Sequence, residues 1–155
     1  MEEIDSVDVA KAVIVEANNR HLRLNMTQLQ KILFIIYGTG LVLLGRRPFD
    51  EYAQAWPSGP VFPKTRRELL EVVKNWDVPS QYPTTIQDDL KIIISSATNF
   101  FGNWSDSKLI KFGRLPGSPW EMTTKMPNFK WRQEIGDGLI KDYFSKIAVR
   151  SQKDA

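Results

Sequence analysis

The sequence predicts a mainly α fold, a compact single-domain bundle of about six to seven helices with a short strand or hairpin near residues 52–62. Three observations carry this. Apolar residues recur at i, i+3, i+4 and i+7 in segment after segment. Residues suited to helix caps precede several of those segments, and no stretch alternates apolar and polar residues for long.

In chain order, Ser6 is placed to cap a first helix whose Ala10, Val13, Ile14 and Ala17 share a face, and Asn18-Asn19 ends it. Asn25 with Gln28 three residues on has the form of a capping box, and Leu24 before it is placed to staple onto Leu29. Leu29, Ile32, Leu33 and Ile36 then form one face of a second helix. Gly38 and Gly40 fall inside that helix, where each costs roughly 1 kcal/mol against alanine, so a close-packed neighbour or a kink is expected there. The helix should resume through Leu41 to Leu44 and stop at Gly45. Tyr52 to Trp56 is short enough and apolar enough for a strand.

Pro63 suits the first turn of a third helix, with Leu69, Val72, Val73 and Trp76 as its stripe. Thr84 or Thr85 is expected to cap a long helix carrying Ile86, Leu90, Ile93, Ile94, Ala97 and Phe101, closed by Gly102. Ser105 caps a short helix, and Ser118-Pro119 reads as the cap and first position of a single-turn one. Asp137 leads into Ile140, Tyr143, Phe144 and Ile147. The domain is expected to span 1–150, with 151–155 a short polar tail.

Much chemistry is absent. With no cysteine there is no disulfide, thiolate metal site or cysteine nucleophile, which suits a reducing cytoplasm. The acidic start "MEEIDSVDVAK" lacks the apolar core of a signal peptide. The most apolar stretch, Ile32 to Gly45, is 14 residues with three glycines, short of the ~20 a membrane span needs; it reads as a buried helix. His21, the lone histidine, sits in the charged segment "NNRHLR" with no nucleophile elbow anywhere to pair with it. "GTGLVLLG" follows a helical pattern and lacks the lysine of a phosphate loop. No catalytic residue, metal ligand or cofactor is expected, and the protein is read as a binding module and not an enzyme.

A net charge of +3 is too small a bias to imply nucleic acid on its own. "TQLQK" has the look of a helix-turn-helix opening, but past Lys31 the second helix offers almost no polar side chain to base edges. Arg46, Arg47, Lys64, Arg66 and Arg67 do form a basic cluster in sequence, able to meet phosphates, an acidic protein partner or solvent.

Between the second and third helices lies "EYAQAWPSGPVFPKTRREL". Pro57 pushes Trp56 toward extended geometry, and Pro60 keeps Gly59 out of the α region. Ser58-Gly59 supplies the turn, with glycine free to take positive φ. The loop is therefore fixed in shape, and Trp56 is either an anchor beneath it or a contact residue on it.

"LQKILFIIYG" (Leu29 to Gly38) followed by "AWPSGPVFP" (Ala55 to Pro63) resembles the paired signature of the Panacea domain, the antitoxin domain of the SocA-like proteins. "DVAKAVIVEAN" before it, "SPW" (Ser118 to Trp120) and "IKDYF" extend the resemblance over nearly the whole chain. Pro57-Ser58 departs from the pair commonly found between the tryptophan and the Gly-Pro, and stiffens the loop. The resemblance implies a helical protein, of bacteria and prophages, that neutralises a small toxin encoded beside it. Neutralisation is by direct contact; delivery of the toxin to a protease, or DNA-binding regulation, are the alternatives. Leu29, Leu33, Gly38 and Trp120 then belong to the structural motif. The expected partner surface is Trp56, Pro57, Ser58, Gly59 and Pro60 with Arg66 and Arg67. The expected partner is the toxin, with nucleic acid the lesser alternative and no membrane.

Overall fold

The computed structural model describes residues 3–153. In chain order it runs α1 (Ser6–Asn19), α2 (Met26–Leu43), β1 (Gln54–Trp56), β2 (Gly59–Val61), α3 (Pro63–Asn75), α4 (Asp88–Phe101), α5 (Asp106–Gly113), α6 (Pro119–Thr124) and α7 (Asp137–Lys153). The fold is mainly α with one small antiparallel hairpin, as the periodicity predicts.

Helix α2 is the axis of the molecule. Every residue from Leu29 to Gly38 is buried, and α1, α3, α4, α5, α7 and β2 all pack on it. By length and composition α2 is apolar enough to cross a membrane, yet its apolar side chains form the centre of the core. Its start is a capping box in full: the Asn25 side chain accepts from the Gln28 N–H, and the Gln28 side chain accepts from the Asn25 N–H, each at 2.8 Å. It runs unbroken through both internal glycines. A Cβ on Gly38 would lie 2.2 Å from the Phe144 ring and one on Gly40 2.8 Å from Pro48, so the two glycines let α7 and the following loop lie directly on the helix.

Two expected caps move. Asp5, not Ser6, caps α1, its carboxylate accepting from the Val7 N–H at 2.9 Å; the two polar residues are adjacent and only the first has extended backbone. Helix α4 starts at Asp88 behind Gln87, which makes no side-chain cap. Thr84 and Thr85 lie outside the helix, and the Thr85 hydroxyl donates instead to Asp8 at 3.0 Å. Asp88 and Asp89 meet the exposed N–H groups with charge instead. Trp76 is not on the stripe of α3: it takes the left-handed conformation that ends the helix. Helix α7 carries on through Lys153, into the stretch expected as a tail, and residues 154 and 155 lie outside the described residues.

Candidate partner-binding surface

Strand β1 pairs with β2 in the register Gln54↔Val61, Ala55↔Pro60 and Trp56↔Gly59, which leaves Pro57-Ser58 as a two-residue turn. Gly59 has φ +112°, the left-handed side that the Ser58-Gly59 reading requires. The strand expected at 52–56 is thus shortened at its start. On its other edge β1 meets the segment before α7. The Ala55 N–H donates to Gln133 O, the Arg132 N–H to Ala55 O and the Ile135 N–H to Ala53 O, each at 2.8 Å.

Helix α2 fixes the hairpin from below. Gln30, 2% exposed, closes a two-way pair with Phe62: its Nε2 donates to Phe62 O at 3.2 Å, and its Oε1 accepts from the Phe62 N–H at 2.7 Å. Next to it, Lys31 is 3% exposed and donates to Pro60 O at 2.9 Å. The "LQK" and "WPSGP" segments, far apart in sequence, are therefore one hydrogen-bonded unit. Across the hairpin's approach, the Glu51 carboxylate accepts from the Lys64 and Thr65 N–H groups and the Thr65 hydroxyl, capping α3 where its own N-cap Phe62 has no side chain to offer.

Among the described residues no carboxylate lies within ion-pair distance of Lys31. Burial, and then the neighbouring Arg114 charge, pull its ammonium down to about 8 from 10.5. Between those two values the unfolded chain holds a proton that the folded chain has released, so stability should rise with pH across this window. Urea unfolding is expected to show a gain on the order of 2 kcal/mol from pH 8 to pH 10. In Lys31→Met that gain should vanish. Tyr37 and Tyr82, both raised chiefly by burial, act in the opposite sense as pH climbs through 10.0, their ordinary value, and so trim the gain only at the top of this window. An equal gain in both proteins would contradict the reading.

Trp56 is half-buried, neither under the loop nor free of it. Its indole N–H donates to Gln54 Oε1 at 3.0 Å, and its carbonyl accepts from Trp120 Nε1 at 2.7 Å. The Arg132 and Arg66 guanidinium groups stand 4.8 and 5.6 Å from its ring, in cation–π range. Arg114 donates to Pro57 O at 3.1 Å and lies 5.8 Å from the Trp120 ring. Trp131, 54% exposed, tilts against Trp120 and meets Phe129 edge-on. The surface is thus tryptophan set among arginines, with Pro57 and the Arg66, Arg114 and Arg132 side chains facing solvent.

The basic cluster read from sequence divides in two. Arg46 pairs with Asp89 at 3.1 Å and Lys64 with Asp5 at 3.2 Å. Arg47 is enclosed by Glu3, Asp50, Asp137 and the Tyr37 hydroxyl, with its guanidinium over Tyr52. These three are engaged within the molecule. Arg66 and Arg67 have no ion-pair partner among the described residues, and the same holds for Arg114 and Arg132. Only Arg66 of the expected pair touches Trp56. Leu29, Leu33 and Gly38 are buried in α2, and Trp120 is the hairpin's fastening from α6.

Sequence reasoning did not single out Gln30, Lys31, Arg114, Trp131 or Arg132 for this surface. The run "FKWRQ" (Phe129 to Gln133), basic residues interleaved with aromatics, was the signal available for two of them.

The chain is 26% identical to "Antitoxin SocA" of Caulobacter vibrioides (strain NA1000 / CB15N) over 162 residues, spanning 94% of this chain and 86% of that protein. No family model matches the chain, and no solved structure matches it.

Proposed function

We propose that this protein is an antitoxin that neutralises a toxin protein by direct contact, and that the toxin binds the surface built from the Trp56 hairpin, Arg66, Arg114, Arg132 and Trp131. Similarity to an antitoxin over nearly the full chain supports the role. The observation that carries the site is the concentration of tryptophan and of arginine outside any ion pair around one rigid hairpin. Those two residue types dominate the energetics of protein interfaces, and the hairpin has little backbone freedom left to lose on binding. Its charge fits an acidic segment of the toxin, with Trp56 and Trp131 giving apolar area that excludes water around the ion pairs.

The test is to induce the neighbouring open reading frame with and without this protein, then recover the tagged protein from growing cells. Rescue of growth with the toxin recovered in a stable complex is the expected result. Rescue with the toxin disappearing points to delivery for degradation instead, and a neighbour that is not toxic removes the antitoxin reading.

A further inference from the structure

The three most exposed large apolar side chains among the described residues are Ile92 (68%), Leu43 (66%) and Phe100 (65%), and all three line one groove of about 300 Å³ between α2 and α4. The groove lies apart from the Trp56 surface and shares no residue with it. Arg46, just past the end of α2, reaches Asp89 at the start of α4, so the two helices run antiparallel and Leu43 flanks the N-terminal half of α4. Ile92 and Phe100 stand four residues to either side of Ser96, on the same helix face, with Thr39 of α2 beside them in the groove. An exposed apolar cluster of this kind marks an interaction site.

We propose that this groove is the interface between two copies of the chain, paired antiparallel through α4 about a two-fold axis at Ser96. The spacing is self-complementary: Phe100 of each copy enters the groove beside Ile92 and Leu43 of the other, so one contact is made twice. Ser96 on the axis is small enough for the two helices to approach closely, as ridge-and-groove packing needs. The charges agree with this arrangement. Antiparallel pairing carries the Asp88 start of one α4 toward the end of the other, beyond which Lys108 stands 3.8 Å from the Trp104 ring. An acidic helix start thus approaches a lysine at both edges of the apolar strip, and the Trp56 surface of each copy remains open. The pairing does not depend on the antitoxin reading.

The chain has no cysteine, so Ser96→Cys carries the sole thiol. A short bifunctional maleimide should join two Ser96→Cys copies into a covalent dimer, whereas Ser80→Cys, exposed on the loop before α4, should stay single. Light scattering of the unmodified protein at about 100 µM should report twice the 17.8 kDa chain mass. Ile92→Asp and Phe100→Asp should each return it to one chain with an unchanged circular dichroism spectrum. A single-chain mass for the unmodified protein overturns the proposal. A dimer that survives Ile92→Asp overturns it too, as does a folded monomer that uses the groove to capture its toxin.

Discussion

Arg66→Glu with Arg132→Glu is expected to weaken the toxin complex about a hundredfold and to abolish growth rescue at equal expression. The two guanidinium groups flank the Trp56 ring from opposite elements, α3 and the segment before α7, and neither is in an ion pair among the described residues. Facing an acidic segment, each reversal turns an attraction into a repulsion, worth ~1.4 kcal/mol or more apiece at the centre of an interface. Inside the free protein the loss is smaller. The side chains are exposed, so only their cation–π contacts go, and unfolding should shift by about 1 kcal/mol or less. Arg67→Glu is the internal control: equally exposed on α3 but off the Trp56 ring, it should cost the complex far less. Titration calorimetry and urea unfolding on the same samples separate binding from stability. Retained affinity in the double variant removes the arginine–tryptophan surface from the account.

Gln30→Ala should be the most damaging polar substitution in α2, lowering stability by about 2 kcal/mol. The side chain satisfies both halves of the Phe62 peptide, donor and acceptor, inside a region closed to water. Removing it leaves the buried Phe62 N–H without a partner, at ~1–3 kcal/mol, while the Phe62 carbonyl keeps the Arg66 N–H at 3.0 Å. Gln30→Glu should be nearly as harmful, because it keeps the acceptor for the Phe62 N–H but sets a buried carboxylate oxygen against the Phe62 carbonyl. A fall in the urea midpoint with unchanged slope is the expected readout. Either variant matching the unmodified protein would show that the hairpin is held by other contacts.

What was legible in the sequence follows the range of the interactions. The capping box of α2 depends on residues three apart, so Asn25 and Gln28 reveal it without any tertiary knowledge. The rigid turn is equally local, since Pro57, Gly59 and Pro60 constrain their own backbone. Cap choice at α1 and α4 was not legible, because Asp5 stands beside Ser6 and the Thr85 hydroxyl is taken up by Asp8 from another helix. Arg47 looked free for the same reason: Glu3 and Asp137, two of the acids around it, come from the two ends of the chain. The aromatic half of the candidate site arrives by pairing of residues 132–135 with β1, almost eighty residues earlier, and no periodicity announces such a pairing. Sequence thus pointed to the hairpin and to Arg66, while Arg132, Arg114 and Trp131 required the fold.

The central claim is that the toxin covers the Trp56 hairpin surface, and site-specific photo-crosslinking tests it most directly. A benzophenone side chain in place of Trp131, on that surface, is compared with one in place of Leu70, which is exposed on α3 beside Lys74 and Arg23. On irradiation of the assembled complex, the account predicts a covalent toxin adduct from position 131 and none from position 70. A complex that forms normally yet gives no adduct from position 131 would contradict it.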